Sequence, residues 1–226
     1  MKKYAVIVAG GSGTRMGGLV PKQFLQLKGR PVVWHTLETF LRAFEDLKII
    51  LVVPANFEQE GDALIRQTTA PWRIQMVAGG ATRFHSVQNG LQKIEEESVV
   101  FVHDGVRCLV TEKLIRRCYN QALEKGSAIP AVAVSDSIRM MEGDSTRAID
   151  RSRLLAVQTP QTFRSEIILP AFEQPYSETF TDEATVAEAA GYEVFMIEGE
   201  KENIKITLPA DLVIAEQLFT TRNHKL

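Results

Sequence analysis

Tyr4-Ala-Val-Ile-Val-Ala9, running straight into Gly10-Gly-Ser-Gly-Thr-Arg-Met-Gly17, decides the fold. A continuous apolar run, short and rich in β-branched residues, is the pattern of a strand buried on both faces of a sheet. The same pattern returns at Leu47–Val53, Ser98–His103 and Ile129–Val134, with a shorter candidate at Trp72–Val77. Between these runs the period changes. Val33, Leu37, Phe40, Leu41 and Phe44 form one stripe of a helix over 31–44. Val87, Leu91 and Ile94 mark a second helix, and Ile115, Cys118, Tyr119 and Ala122 mark a third over 111–125, with Gly126 as its stop. Helices spaced between buried strands predict an α/β domain with a mostly parallel sheet. Sheets of this kind hold ligands at the carboxyl ends of their strands.

One single domain over 1–226 is expected, with a mostly parallel, Rossmann-like sheet flanked by helices. The rhythm breaks between about 135 and 162. There Ser137–Ile149 reads as two strands around Glu142-Gly143-Asp144, an inserted β-arm that needs a second subunit to cover its apolar residues. From Thr181 the helical pattern returns, followed by strand candidates at Val194–Ile197 and Ile204–Thr207 and a helix starting near Pro209.

Composition excludes several classes. Hydrophobic residues are 45% and charged residues 24% of the 226, which rules out a disordered chain. Lys plus Arg is 26 and Asp plus Glu is 28, so there is no basic excess to attract a nucleic acid. The 2 Cys make neither a disulfide framework nor a CxxC clip and fit a reducing compartment. Met1-Lys-Lys ahead of a short apolar run that ends in glycines reads as a first strand, with neither a targeting segment nor a membrane span. A cytoplasmic protein without a membrane partner is the expectation.

The glycine loop is the main chemical signal. Glycines let backbone N–H groups approach an anion and form turns that need positive φ. A dinucleotide fingerprint beginning at Gly11 would need Gly or Ala where Met16 stands. A Walker A loop from Gly13 meets Leu19 and Val20 where Lys and Ser or Thr belong. What remains is a nest of N–H donors with Arg15 inside it and Lys22 beyond, an arrangement suited to a polyphosphate. The plainer use is a strand-to-helix turn with surface cations.

Further candidates stand at strand ends. Asp104 follows the strand Ser98–His103 and emerges at the carboxyl end, where a carboxylate can hold Mg²⁺ against a triphosphate. A helix cap or an ion pair with Arg107 is its other use. His103 points to the opposite side of the strand and reads as structural. Lys205 alternates with Ile204 and Ile206, which aims it at a different environment.

Ala9–Gly17 followed by Pro21-Lys-Gln-Phe24 resembles the nucleotidyltransferases that join a nucleoside triphosphate to a sugar or polyol phosphate. Within them the chain is similar to the 2-C-methyl-D-erythritol 4-phosphate cytidylyltransferases of non-mevalonate isoprenoid synthesis. The resemblance runs nearly the whole length through Gly79–Val87, Val102–Arg107, Asp150-Arg151, Thr159–Phe163, Thr181–Ala184 and Asn203–Thr207. It implies transfer of CMP from CTP to a methylerythritol phosphate with release of pyrophosphate, dependent on Mg²⁺ held by Asp104. It implies Arg15, Lys22 and Lys205 as the catalytic cations. Ala9, Gly10, Gly11, Gly13, Gly80, Ala81 and Ser86 would bind CTP, with the latter three reading the base. Arg107, Ser137, Arg151 and Thr181 would bind the polyol phosphate. In the family, the residues matching Ser137 and Arg151 come from a partner's arm, which agrees with a homodimer joined through 135–162.

Asp182 and Glu183 have two uses open to them, a substrate's hydroxyls or the cap of a helix. Two departures stand out: Cys108 where Pro is usual and His85 where an acidic residue is common. Ribitol-5-phosphate cytidylyltransferases share the glycine loop, the Pro-Lys-Gln segment and the aspartate strand, and are the main alternative. Molybdenum-cofactor guanylyltransferases share only the opening loop. An inactive nucleotide-binding subunit would be expected to lose charged residues that are all present here.

Overall fold

A computed structural model of the chain describes residues 1–11 and 20–223, so Gly13 and Arg15 lie outside the described residues. The elements follow in chain order. β1 (Lys2–Val8) is succeeded by the short pair β2 (Gln26–Leu27) and β3 (Arg30–Pro31), then α1 (Val32–Ala43), β4 (Lys48–Val53) and α2 (Glu58–Arg66). β5 (Ile74–Ala78), α3 (Arg83–Leu91), β6 (Ser98–Asp104), α4 (Glu112–Lys125) and β7 (Ser127–Ala133) complete the first part. β8 (Ile138–Glu142) and β9 (Ser145–Ile149) form the arm, followed by β10 (Leu155–Val157), β11 (Gln161–Arg164) and α5 (Ser165–Ala171). α6 (Glu183–Ala189), β12 (Met196–Glu198) and α7 (Pro209–Asn223) end the chain's description.

The main sheet runs β10-β7-β11-β6-β1-β4-β5, with β12 beside β7. β1 is parallel to both β4 and β6, β4 to β5, and β12 to β7, whereas β11 runs antiparallel between β6 and β7. The central strands are apolar throughout because alternate side chains feed two separate cores. Ala5, Ile7, Ile49, Leu51, Val99 and Phe101 face the cluster that Phe40 of α1 and Leu114 of α4 complete. Tyr4, Val6, Ile50, Val52, Val100 and Val102 face the opposite cluster with Val87 of α3, Ile168 of α5 and Val186 of α6.

Helix ends follow local chemistry. Thr111 caps α4 by accepting the Leu114 N–H at 3.0 Å, and Gly126 ends it at φ 90°, a conformation that costs a residue with a Cβ. Thr82 caps α3, and Asp182 caps α6 in a capping box with Thr185. From β1 the chain proceeds outward through β4 and β5, then returns through α3 to place β6 on the other side of β1. The carboxyl ends of β1 and β6 therefore part at a switch in strand order, where a crevice forms.

Several expected boundaries move. The strand anticipated over Trp72–Val77 starts at Ile74, after a 3-10 turn at Pro71–Arg73, and that over Val194–Ile197 is β12. The candidate strand Ile204–Thr207 joins no ladder. Its Ile206 N–H bonds the Val106 carbonyl at 3.1 Å, and Ile206 is buried with Val106, Cys108 and Leu109. The hairpin prediction over 137–149 holds: β8 and β9 pair antiparallel, closed by Gly143 at φ 63°. They pair with each other alone, outside the main sheet.

Candidate active site

The cleft at the switch point has a volume of about 480 Å³ and is lined by Ala9, Gly10, Gly11, Lys22, Gly80, Ala81, Arg83, Ser86, Asp104 and Lys205, among others. Most of the residues anticipated for a nucleotide thus converge from three strand ends. β1 supplies Ala9 to Gly11, the loop after β5 supplies Gly80 and Ala81, and β6 supplies Asp104. Val8 and Asp104 are direct partners in the β1–β6 ladder, which sets the end of β1 beside the carboxylate.

Ala9 and Gly11 are held by Gln23, a buried amide in the Pro-Lys-Gln segment. Its Nε2 donates to the carbonyls of Ala9 at 2.6 Å and Gly11 at 3.0 Å. This scaffolding role was not read from the sequence, although a glutamine fixed between a cation and an aromatic was its visible signal. Gly80 is required by space: a Cβ there would sit 2.4 Å from the Cβ of His85. The Ser86 hydroxyl is engaged within the loop, accepting the Gly80 N–H at 3.1 Å and donating to the Thr82 carbonyl at 2.9 Å. It shapes this corner of the cleft and keeps one lone pair for a donor.

Asp104 is the centre of charge. Its residue is 7% exposed and meets three cations. Oδ1 accepts from Arg83 Nη2 at 3.2 Å and Nε at 3.3 Å, whereas Oδ2 lies 3.0 Å from Lys205 Nζ and 3.5 Å from Arg107 Nε. Burial pushes the carboxyl pKa up, but Arg83, Lys205 and Arg107 overturn that and hold it below the usual carboxylate range. Arg83, for which the sequence leaves a merely structural role open, is central. It also grips Glu183 with two N–H groups, across a separation in the chain that no local pattern reveals.

A second cleft of about 190 Å³ opens behind the first and shares Arg83, Asp104 and Lys205 with it. Arg107, Gln161, Thr181 and Asp182 complete its walls. Arg107 is fixed by donation to the Asn203 carbonyl at 2.8 Å. Asp182 proves to be a helix cap and accepts from Gln161 Nε2 at 2.8 Å. Glu183 turns inward, fully buried, so it does not meet a substrate hydroxyl as one reading of this segment allowed.

His103 is structural, as expected. The ring meets the Arg107 carbonyl at 3.2 Å through Nε2, which must therefore carry the proton. Nδ1 then accepts from Thr159 Oγ1 at 3.0 Å, and Thr159 Oγ1 accepts the Asp104 N–H at 3.1 Å. This chain staples the turn that carries both Asp104 and Arg107. Cys108, the departure from the usual Pro, is packed into an apolar cluster, where burial pushes its thiol up to about 12.

Ser137 and Arg151 stand apart from both clefts. Both are exposed on the arm, and Arg151 donates to the Ser135 carbonyl of its own arm. Within one chain they therefore do not join the site, because the arm projects from the main sheet.

A cation fits here in one way. Among the described residues no cluster of three or more His, Cys, Asp or Glu exists, so a protein cage for a metal is absent. One carboxylate at the edge of a cleft is the donor set Mg²⁺ ordinarily uses when substrate oxygens supply the rest. No helix among the described residues is long and apolar enough to cross a membrane.

The family model described as 2-C-methyl-D-erythritol 4-phosphate cytidylyltransferase (IspD) matches residues 4–221. The Porphyromonas gingivalis protein of that name is 46% identical over 97% of this chain and 99% of its own length. The Phocaeicola vulgatus protein of the same name is 42% identical over 97% and 100%. Among solved structures, the 4-diphosphocytidyl-2C-methyl-D-erythritol synthase of Anaerococcus prevotii superposes with a TM-score of 0.83 at 28% identity, covering 97% of this chain and 96% of that one. The Thermus thermophilus cytidylyltransferase gives 0.77 at 31%, covering 97% and 100%. With identity of this degree along the whole length and the clefts formed by the residues the motifs single out, the chain belongs to the 2-C-methyl-D-erythritol 4-phosphate cytidylyltransferase family.

Proposed function

We propose that the chain transfers CMP from CTP to 2-C-methyl-D-erythritol 4-phosphate in the cytoplasm, giving the CDP-linked methylerythritol and pyrophosphate. The observation that carries this reading is the adjoining pair of clefts sharing Asp104, Arg83 and Lys205. The larger is walled by backbone and glycines, as a nucleotide needs, and the smaller by Arg107 and Thr181, as a phosphate on a polyol needs.

The chemistry is positioning and charge neutralisation. A substrate phosphate is already ionised at neutral pH and attacks the α-phosphorus in line, so no side chain has to act as a general base. Lys22 and Arg15 neutralise the triphosphate and the departing pyrophosphate. Lys205 serves the α-phosphate, on the border of the two clefts. Backbone N–H groups of the Ala9–Gly13 loop hold the phosphates, and Gly80, Ala81 and Ser86 frame the base. Mg²⁺, when held by Asp104 and phosphate oxygens, supplies charge neutralisation for the triphosphate.

The test is pyrophosphate release from CTP and Mg²⁺ with methylerythritol 4-phosphate and ribitol 5-phosphate offered in turn. Release with the erythritol compound alone is expected. Preference for ribitol phosphate would overturn the substrate assignment and leave the fold and cations as they are.

Homodimerisation through the arm is part of the proposal. Met140 and Met141 on β8 are exposed, as are Leu155 and Val157 on β10 and Met196 on β12, and apolar surface of this kind calls for cover. Ser137 and Arg151 would then reach the partner's second cleft. Arg151→Ala and Lys22→Ala proteins, each inactive, are expected to regain activity when mixed and allowed to exchange subunits. Absence of rescue after exchange is verified by mass would mean that each site is built from one chain.

A further inference from the structure

Glu183 is a charged side chain with 0% exposure, at the first position of α6. Both carboxylate oxygens accept from one partner, the guanidinium of Arg83: Oε1 from Nη1, and Oε2 from Nη2 at 3.1 Å. Arg83 opens α3 just past the Gly79-Gly80 turn, and its Nε and Nη2 both reach Oδ1 of Asp104. The guanidinium therefore lies between two carboxylates. One, Glu183, is fully buried, and the other, Asp104, lines both clefts.

A carboxylate rotates easily about its last torsion, so which oxygen faces a ligand has to be fixed from outside. Here Oδ1 is fixed by Arg83, and Oδ2 is left to Lys205 and Arg107. Arg83 in turn can hold Oδ1 only while its own plane is set, and the two-pronged grip of Glu183 sets it. We propose that Glu183 is a positioning residue for nucleotidyl transfer: acting through Arg83, it turns Oδ2 of Asp104 toward Lys205 at the cleft, where Asp104 would hold Mg²⁺. The inference rests on the function proposed above.

A second consideration separates this role from a structural one. Removing two charges from water is costly, and buried ion pairs replaced by well-packed apolar groups commonly leave a fold no less stable. An ion pair of this kind is weak evidence of a stabilising role, whereas it fixes the guanidinium that holds Asp104. α6 begins directly after Thr181 and Asp182, which line the second cleft, so the same strut ties the polyol side of the site to the carboxylate on the nucleotide side.

The experiment uses the full chain and two variants, Glu183→Gln and the double Arg83→Met/Glu183→Leu. Partners in the shell behind a metal ligand typically carry 10–100-fold in affinity or activity. Both variants are accordingly expected to lose roughly 10–100-fold in kcat/KM, with the Mg²⁺ concentration at half-maximal rate raised about tenfold. The double variant is expected to melt at or above the temperature of Glu183→Gln. Calorimetric titration with CTP at fixed Mg²⁺ needs no second substrate and should show weaker binding in both. A folded double variant with wild-type kcat/KM and wild-type Mg²⁺ dependence would overturn the role. Wild-type protein that binds Mg²⁺ and CTP yet releases no pyrophosphate would instead overturn the proposed function, while the calorimetric comparison still decides the strut.

Discussion

Lys205→Ala is expected to lower kcat by roughly 10²–10³, the effect of deleting one preorganised charge at a transition state. Lys205 Nζ is 3.0 Å from Oδ2 of Asp104, and its side chain, 43% exposed, borders both clefts. With Arg83 it is one of the described cations that line both clefts, where the two substrates' phosphates would meet. Substitution leaves Asp104 paired with Arg83 and Arg107, so the buried carboxylate keeps its compensation and the fold should survive. A loss of this size corresponds to about 3–4 kcal/mol of transition-state stabilisation. Unchanged melting together with the lost turnover locates the effect in the chemistry. Turnover within threefold of wild type would remove Lys205 from the mechanism.

The second large effect is on stability in mild acid, and it comes from His103. An exposed imidazole takes up its proton near pH 6.5, but His103 is fully buried and burial lowers its pKa to about 3, despite the neighbouring Asp104. The unfolded chain thus binds a proton that the folded chain refuses. Stability from this group is complete above about pH 6.5 and drains as the pH falls toward 3. Between pH 6.5 and about pH 5 the loss from this one site is about 2 kcal/mol. His35, also lowered by burial, works in the same direction, whereas Glu183, raised by burial, works in the opposite one. His103→Gln isolates the contribution, since glutamine offers an amide N–H toward the Arg107 carbonyl and does not titrate. Urea unfolding at pH 7, 6 and 5 should show a shallower loss in the variant. Parallel slopes would mean that His103 does not reach the interior neutral.

Much of this was legible in the sequence, and the reasons differ from residue to residue. β1, β4 and β6 announce themselves because each must be apolar on both faces, an unbroken pattern that few other structures share. Asp104 was legible through its position at the end of such a strand, and Lys205 through alternation with two isoleucines. That alternation survives although no ladder forms, because Asn203 anchors the segment by donating to the Thr159 carbonyl at 2.8 Å and Ile206 buries itself.

β11 was hidden for the opposite reason. Gln161 is polar yet buried and satisfied by groups distant in sequence: its Oε1 accepts the Ala184 N–H at 2.8 Å and its Nε2 donates to Asp182 at 2.8 Å. No periodicity records such partners. The pairing of Arg83 with Glu183 was hidden for the same cause: an ion pair between two helix starts leaves no mark on either local pattern. The arm residues Ser137 and Arg151 carry a signal for a second subunit, which the sequence suggests and a single chain does not supply.

The most direct test of nucleotidyl transfer at this site follows the phosphorus itself. CTP labelled at the α-phosphate is incubated with the protein, Mg²⁺ and methylerythritol 4-phosphate, and the products are separated by charge. The label is expected in a CDP-linked methylerythritol, with one pyrophosphate released for each label moved, and is expected to stay in CTP when the polyol phosphate is left out. Label recovered as CMP, or retained in CTP with both substrates present, would contradict transfer between the two clefts.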